Sequence, residues 1–345
     1  MKETIYIVDD SIMNLTIVEK GLRDFYDVVQ VPSAKRMFEM LDDIRPALIL
    51  LDVVMPEMDG FEALEKLKLD PRYADIPVMF LTGRNDHEVE VKGFEMGVVD
   101  FVSKPFSLPV LYNRILTHID IDKLLKQRTK ALEKSHRSQL LVLANVIENR
   151  DGNTGGHVNR TVKYIDALIA GMLKYDVYTD ELAAWDLENV GICSALHDIG
   201  KIAIPDEILN KPAKLTFHEF DIIKTHTTKG GQIINDVINI TEEDKYLADA
   251  YLFAEFHHEN WDGSGYPHGL KEIGIPLQGR VMAIADVYDA LVSERPYKTG
   301  MPHELAVKTI MHDSGKKFDP KIAGVFYNIE GEFKKILDES RAEKE

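Results

Sequence analysis

The chain has 345 residues, 45% of them hydrophobic and 29% charged, a net charge of −17 and one cysteine. That length predicts two or three domains, and the lone cysteine excludes an internal disulfide and fits a reducing compartment. No apolar run approaches the roughly 18 residues of a membrane span, and the acidic excess excludes electrostatic attraction to a nucleic-acid polymer. The opening MKETIYIVDD is too polar for a secretory signal, so a cytoplasmic location and no membrane partner are expected. Charge is uneven: residues 108–145 carry seven basic and three acidic side chains, between two acidic halves.

TIYIV (4–8) reads as a buried strand, and residues 11–24 carry helical periodicity through Ile12, Leu15, Val18 and Leu22. DVVQV, ALILLD, PVMFLT and DFVSK supply four more short strands, with helical segments between them. Five strands alternating with helices predict an α/β unit, a five-stranded parallel doubly wound sheet with right-handed crossovers. Its ligand site lies beyond the carboxyl ends of the strands. Asp9 and Asp10 follow the first strand, Asp52 the third, Thr82 the fourth and Lys104 the fifth. Three clustered carboxylates suit Mg²⁺, and the Lys and Thr are placed to grip a phosphoryl group on one of them. A single Asp there is more often a turn or cap residue, a poor account of five polar residues at successive strand ends.

Residues 1–107 thus resemble a response-regulator receiver domain, on VDD at 8–10, LLDVVMPEMDG at 50–60, LTG at 81–83 and SKPF at 103–106. The resemblance implies that Asp52 accepts a phosphoryl group from a partner histidine kinase. It also implies that Asp9 and Asp10 hold Mg²⁺, that Thr82 and Lys104 sense the phosphate, and that Phe101 is the aromatic switch residue.

The segment 108–147 lacks Gly and has one Pro, Pro109, tolerated in a helix's first turn. It reads as one long helix or two nearly continuous ones. An apolar seam through Leu111, Ile115, Leu125, Leu132 and Leu143 is interrupted by His118, Asp122, Thr129 and His136, too broken for a coiled coil by itself. The expectation is a helical connector that packs against a second copy in a homodimer.

Residues 148–345 show apolar positions at helical spacing in 158–173, 182–197, 219–238, 245–258, 279–292 and 303–311. They predict an all-α bundle, where metal sites come from facing helices. HDIGK at 197–201 ends an apolar stretch, turning His197 and Asp198 inward, where they would be costly unpaired. A lone His-Asp pair is more often solvated; here a metal resolves the cost, with Lys201 adding charge beside it. HHENWDGSGYP at 257–267 puts His257 and His258 at the end of another apolar segment, before a Gly- and Pro-rich loop. Neutral imidazole and carboxylate bind divalent transition metals without thiolate. His226 alone reads as a surface or cap histidine, His157 begins a helix after a Gly pair, and Asp286 sits in the apolar VMAIADVYDAL and needs a buried partner. Cys193 reads as a small core residue.

Together HDIGK, HHENWDGSGYP and ADVYDALVSERPYK resemble the HD-GYP branch of the HD phosphohydrolases, over roughly 145–330. That resemblance implies a phosphodiesterase for cyclic di-GMP with two or three metals, iron or manganese. Carried over by position, His157, His197, Asp198 and Asp286 would hold one metal. Asp198 would bridge to a second, held by His226, His257 and His258. Lys201 would bind phosphate, and Arg295 and Lys298 of RPYK the ligand. Members with a third metal carry a Glu four residues before the first His; Asn153 stands there, so two metals are expected. Metals sharing Asp198 would ionise a water for in-line attack on phosphorus, giving pGpG and, after a second cut, GMP. The stretch between His157 and His197 is longer than the family's usual, near YDVYTDELAAWD.

The combined expectation is a receiver domain (1–107), a connector (108–147) and an HD-GYP domain (148–345), with phosphorylation of Asp52 controlling hydrolysis and GGDEF-domain proteins as further partners. Two alternatives stay open: a catalytically silent cyclic di-GMP receptor acting through protein contacts, and a phosphodiesterase for a hybrid cyclic dinucleotide such as cyclic GMP-AMP.

Overall fold

The computed structural model of the chain describes residues 2–83, 87–151, 156–241, 245–293 and 300–342. Contacts divide the chain into two compact units, Met1–Leu132 and Glu133–Glu345.

In the first unit, strands β1 (Thr4–Val8), β2 (Asp27–Val31), β3 (Leu48–Asp52), β4 (Val78–Thr82) and β5 (Asp100–Ser103) alternate with helices α1 (Ile12–Leu22), α2 (Ala34–Leu41), α3 (Gly60–Leu69) and α4 (His87–Glu95). The sheet is parallel throughout, in the order β2-β1-β3-β4-β5. Every residue of β3 and β4 is buried, as the continuous apolar runs of a sheet covered on both faces require. Alternate strand residues serve opposite faces. Ile5, Ile7, Leu48, Leu50, Met79 and Leu81 pack with Leu15, Val18 and Leu22 of α1. Tyr6, Val8, Ile49, Leu51 and Phe80 pack with Met37 of α2 and Leu64 and Leu67 of α3. Each fully buried Leu or Ile contributes about 1.5–3 kcal/mol. A capping box between Asp59 and Glu62 starts α3 beside the end of β3.

Helix α5 (Leu108–Glu148) is unbroken over 41 residues. Leu111, Ile115 and Ile119 join the core of the first unit, and Ile147 joins that of the second. The seam read from the sequence is therefore not one surface. Leu111 and Ile115 are fully buried, whereas Leu125, Leu132 and Leu143 are exposed.

The second unit is helical: α6 (His157–Lys174), α7 (Thr179–Leu182), α8 (Val190–Cys193), α9 (Asp206–Leu209), α10 (Phe217–Lys224), α11 (His226–Thr241), α12 (Lys245–Phe256), α13 (Leu277–Val292), α14 (His303–His312), α15 (Pro320–Asn328) and α16 (Glu330–Ala342). Its core joins Tyr164 and Leu168 of α6, Phe253 of α12, Val281, Ile284 and Tyr288 of α13, Phe326 of α15 and Phe333 of α16. Two expected helices are broken. The span 182–197 holds the last residue of α7, then α8 and a 3₁₀ turn (Ser194–Leu196), and a second 3₁₀ segment (Ile199–Ala203) follows His197. Asp186 ends the earlier turn by accepting from Glu188 N and Asn189 Nδ2. The span 219–238 breaks at Thr225, the C-cap of α10, where the chain turns into His226. The longer segment before α8 is pinned by buried Arg280, which donates to Glu181 and Asp319 at 3.0 Å each.

Candidate functional site

In the first unit, Asp9, Asp10 and Asp52 each offer an oxygen within 4.8 Å of the others. Asp9 and Asp52 are buried at the ends of β1 and β3, and Asp10 is exposed. Lys104 joins them, its Nζ 2.6 Å from Asp9 Oδ2 and 2.8 Å from Asp52 Oδ2. Burial raises the Asp52 pKa against the pull of Lys104. Burial opposes the charge on Lys104 as well, but its hydrogen bonds to Asp52 and Asp9 raise its pKa. Asn14, absent from the sequence reading, donates to both oxygens of Asp9 at 3.0 and 2.9 Å. Thr82 and Phe101 are buried, and the Phe101 ring lies edge-on to Phe80 and Phe94. Gly60 is required beneath this pocket, because a Cβ there would collide with the Asp52 carbonyl oxygen.

In the second unit, His157 opens α6 and His226 opens α11. His197 and Asp198 sit between the two 3₁₀ segments, His257 and His258 just beyond α12, and Asp286 on α13. The structure brings all seven together. His157, His197 and Asp198 form one group of donor atoms within 4.8 Å, and His226, His257 and His258 another. Asp198 reaches both: its Oδ2 is 3.3 Å from His197 Nε2, and its Oδ1 is 3.4 Å from His226 Nε2 and 3.9 Å from His257 Nε2. Asp286 Oδ1 lies 3.7 Å from His157 Nε2. Lys201 Nζ sits 2.8 Å from Asp198 Oδ2. Arg295, Lys298 and Asn153 lie outside the described residues.

The imidazoles are oriented locally. His197 Nδ1 meets Ser194 O at 2.8 Å, His226 Nδ1 meets Ile223 O at 2.7 Å, and His257 Nδ1 meets Phe253 O and Ala254 O at 3.0 Å. A carbonyl only accepts, so each Nδ1 carries the proton and each Nε2 presents its lone pair to the site. His226 Nε2 and His257 Nε2 are 3.2 Å apart, and His197 Nε2 is buried with no hydrogen-bond partner among the described residues. Lone pairs converging without a proton between them fit divalent cations.

The electrostatics agree. Burial lowers the His226 pKa, takes His257 well down with help from its histidine neighbours, and lowers His258 to about 3. Burial works against ionising Asp198, but the Lys201 ammonium beside it holds it well below the usual carboxylate range. Three neutral imidazoles beside an ionised carboxylate make a nitrogen–oxygen donor set for transition metals.

His157 is held differently. Its Nδ1 lies 2.8 Å from Asp289 Oδ2, and Arg160 binds the same carboxylate through Nε at 2.6 Å and Nη2 at 2.8 Å. Burial opposes charge on His157, yet the Asp289 hydrogen bond lifts its pKa to about 9. Sequence reading missed Asp289 and Arg160. The available signal was a second aspartate one helical turn beyond Asp286. It also missed Glu259, whose buried carboxylate accepts from the backbone N–H groups of His268, Gly269 and Leu270 at 2.7, 3.1 and 3.0 Å and so closes the GYP loop. Gly200 lets the HDIGK turn press on α11, since a Cβ there would strike the His226 carbonyl oxygen.

An acid pocket at the strand ends of a parallel sheet and a histidine–aspartate centre in a helical unit define a response regulator with a metal-dependent output domain. The response regulator receiver domain family matches residues 5–116, and the HD domain family residues 141–322. A probable cyclic di-GMP phosphodiesterase of Vibrio cholerae is 40% identical over 358 residues, covering 98% of this chain and 81% of that protein. The cyclic di-GMP phosphodiesterase response regulator RpfG of Xanthomonas campestris is 34% identical over 92% of this chain and 85% of its own length. The 3'3'-cGAMP-specific phosphodiesterase 2 of Vibrio cholerae is 34% identical over 76% of this chain and 47% of its own length. The chain belongs to the family of response regulators with an HD domain, the metal-dependent cyclic dinucleotide phosphodiesterases of two-component signalling.

Proposed function

We propose that this chain hydrolyses cyclic di-GMP to pGpG at a two-metal centre, under the control of phosphorylation at Asp52. The observation that carries the reading is Asp198, whose two oxygens face the two histidine groups separately. His157, His197, Asp198 and Asp286 would hold one ion, and Asp198, His226, His257 and His258 the other, with iron or manganese suited to the donor set. When bound, such ions supply Lewis acidity and the means of ionising water near neutral pH. Asp198 keeps the two groups in register, and Lys201 stands beside it to offset phosphate charge. Arg295 and Lys298 complete the ligand contacts in this reading. The test is anaerobic loading with Fe²⁺ or Mn²⁺, addition of cyclic di-GMP and chromatography of the products. Metal-replete protein that binds the dinucleotide without turnover would make the chain a receptor. D198A should lose both metal and turnover.

In the receiver, Asp9 and Asp10 would hold Mg²⁺, with Asp52 accepting phosphate from a histidine kinase and Thr82, Phe101 and Lys104 relaying its presence. The connector, 108–147, would pass the signal within a homodimer, for which exposed Leu125, Leu132, Val142 and Val146 of α5 offer apolar surface. L132E should then shift sedimentation toward monomer. The likeness to a cGAMP-specific relative supports a second reading, a hybrid cyclic dinucleotide as substrate. Competition between cyclic di-GMP and cyclic GMP-AMP decides between them.

A further inference from the structure

Beyond the metal centre, aromatic rings form a tier leading outward. His258 stacks at a tilt on Tyr266 of the GYP loop, ring centres 4.8 Å apart, and Tyr266 meets Phe220 of α10 at 6.4 Å and 81°. His258 and Tyr266 belong to motifs already discussed; Phe220 belongs to none. It is 46% exposed, which for an isolated surface Phe would need no account.

Three observations separate it from that case. Its helix is fixed at the start by a capping box between Thr216 and Glu219, and Lys211 Nζ binds the Glu219 carboxylate at 2.7 Å. The helix is fixed at its end to the metal centre, because Ile223 O accepts the Nδ1 proton of His226. Phe220 stands six residues before His226, across the break at Thr225, and its ring meets Tyr266, which in turn stacks on His258. A nucleotide carries its base outward from its phosphate by one sugar. A ring held rigidly one step outside a phosphodiester-cleaving centre is therefore placed for the base.

Resting on the phosphodiesterase reading, we propose that Phe220 is the stacking platform for a purine base of the cyclic dinucleotide. Every base has a π-face, so the platform supplies affinity without choosing guanine over adenine.

The test compares F220L and F220W with the wild type in the metal-loaded full chain. Binding is read by fluorescence quenching of a cyclic dinucleotide carrying 2-aminopurine. Turnover is read with cyclic di-GMP and with methyl p-nitrophenyl phosphate, a diester without a base. The exposed ring makes loss of folding in F220L unexpected, and circular dichroism checks it. F220L should weaken binding and raise KM roughly 5- to 150-fold, the range for one base stack, with kcat and the base-free rate unchanged. F220W should restore quenching and KM. KM and quenching within twofold of wild type in F220L would overturn the proposal. So would a parallel loss of the base-free rate, which would mark a structural role. Wild-type protein that quenches the probe but cleaves nothing would refute the phosphodiesterase reading, while the binding comparison still decides the role of Phe220.

Discussion

His157 Nδ1 donates to Asp289 Oδ2 at 2.8 Å across 132 residues of chain, and Arg160 clasps that carboxylate from the other side. The aspartate thereby sets the ring orientation of a proposed metal ligand.

Replacing Asp289 should show both roles. D289N keeps the shape but weakens the hold on His157, and Mn²⁺ affinity measured by titration calorimetry should fall about 10- to 100-fold. D289A also strands buried Arg160 and should cost about 3–5 kcal/mol in chemical denaturation. Unchanged Mn²⁺ affinity in D289N would remove Asp289 from the site.

Gly200 tests how the HDIGK turn is seated. G200A drives a methyl into the His226 carbonyl, so the turn and α11 must separate. Overpacking of this kind costs about 1–3 kcal/mol, and the displaced His226 should lower bound metal by elemental analysis. A G200A protein with full stability and full metal would show that the contact is dispensable.

Cys193 is 1% exposed, and burial raises its thiol pKa. The native thiol should resist iodoacetamide at pH 8 and react fully in guanidinium. A raised folded pKa means that the unfolded chain loses its proton first. The Cys193 contribution is therefore intact below about pH 8.5 and declines above it, by at most ~1.4 kcal/mol per pH unit. Denaturation of wild type and C193A at pH 8 and 9.5 isolates it; equal losses in both proteins would contradict the assignment.

Asp52→Asn removes the proposed phosphoacceptor and leaves the second unit untouched. Basal turnover should match wild type within about twofold, and any change that acetyl phosphate with Mg²⁺ causes in wild type should vanish. A D52N protein that still responds would place the switch elsewhere.

The strands were legible because buried strands are short apolar runs, and the aspartates stand out at their ends. The histidine motifs were legible for a related reason: polar groups closing apolar segments require partners. Pairings across distance were not. Asp289, one turn from Asp286, went unread, since nothing local announces Arg160 and His157. His226 in KTHTTKG looked superficial; it is buried because Gly200 admits α11 to close contact. The 3₁₀ turns around His197 were hidden as well, because apolar spacing does not distinguish them from a continuing helix.

Glu259 follows His258 directly and grips the backbone of residues 268–270. The chain from the histidines through Tyr266 and back is thus a closed ring, a buckle whose tongue is one carboxylate. Force applied to Tyr266 by anything resting on it is borne at the residue next to a proposed metal ligand. Loosening the buckle would slacken the histidine pair and the aromatic tier together, so this chain has a single mechanical part where the motif reads as two.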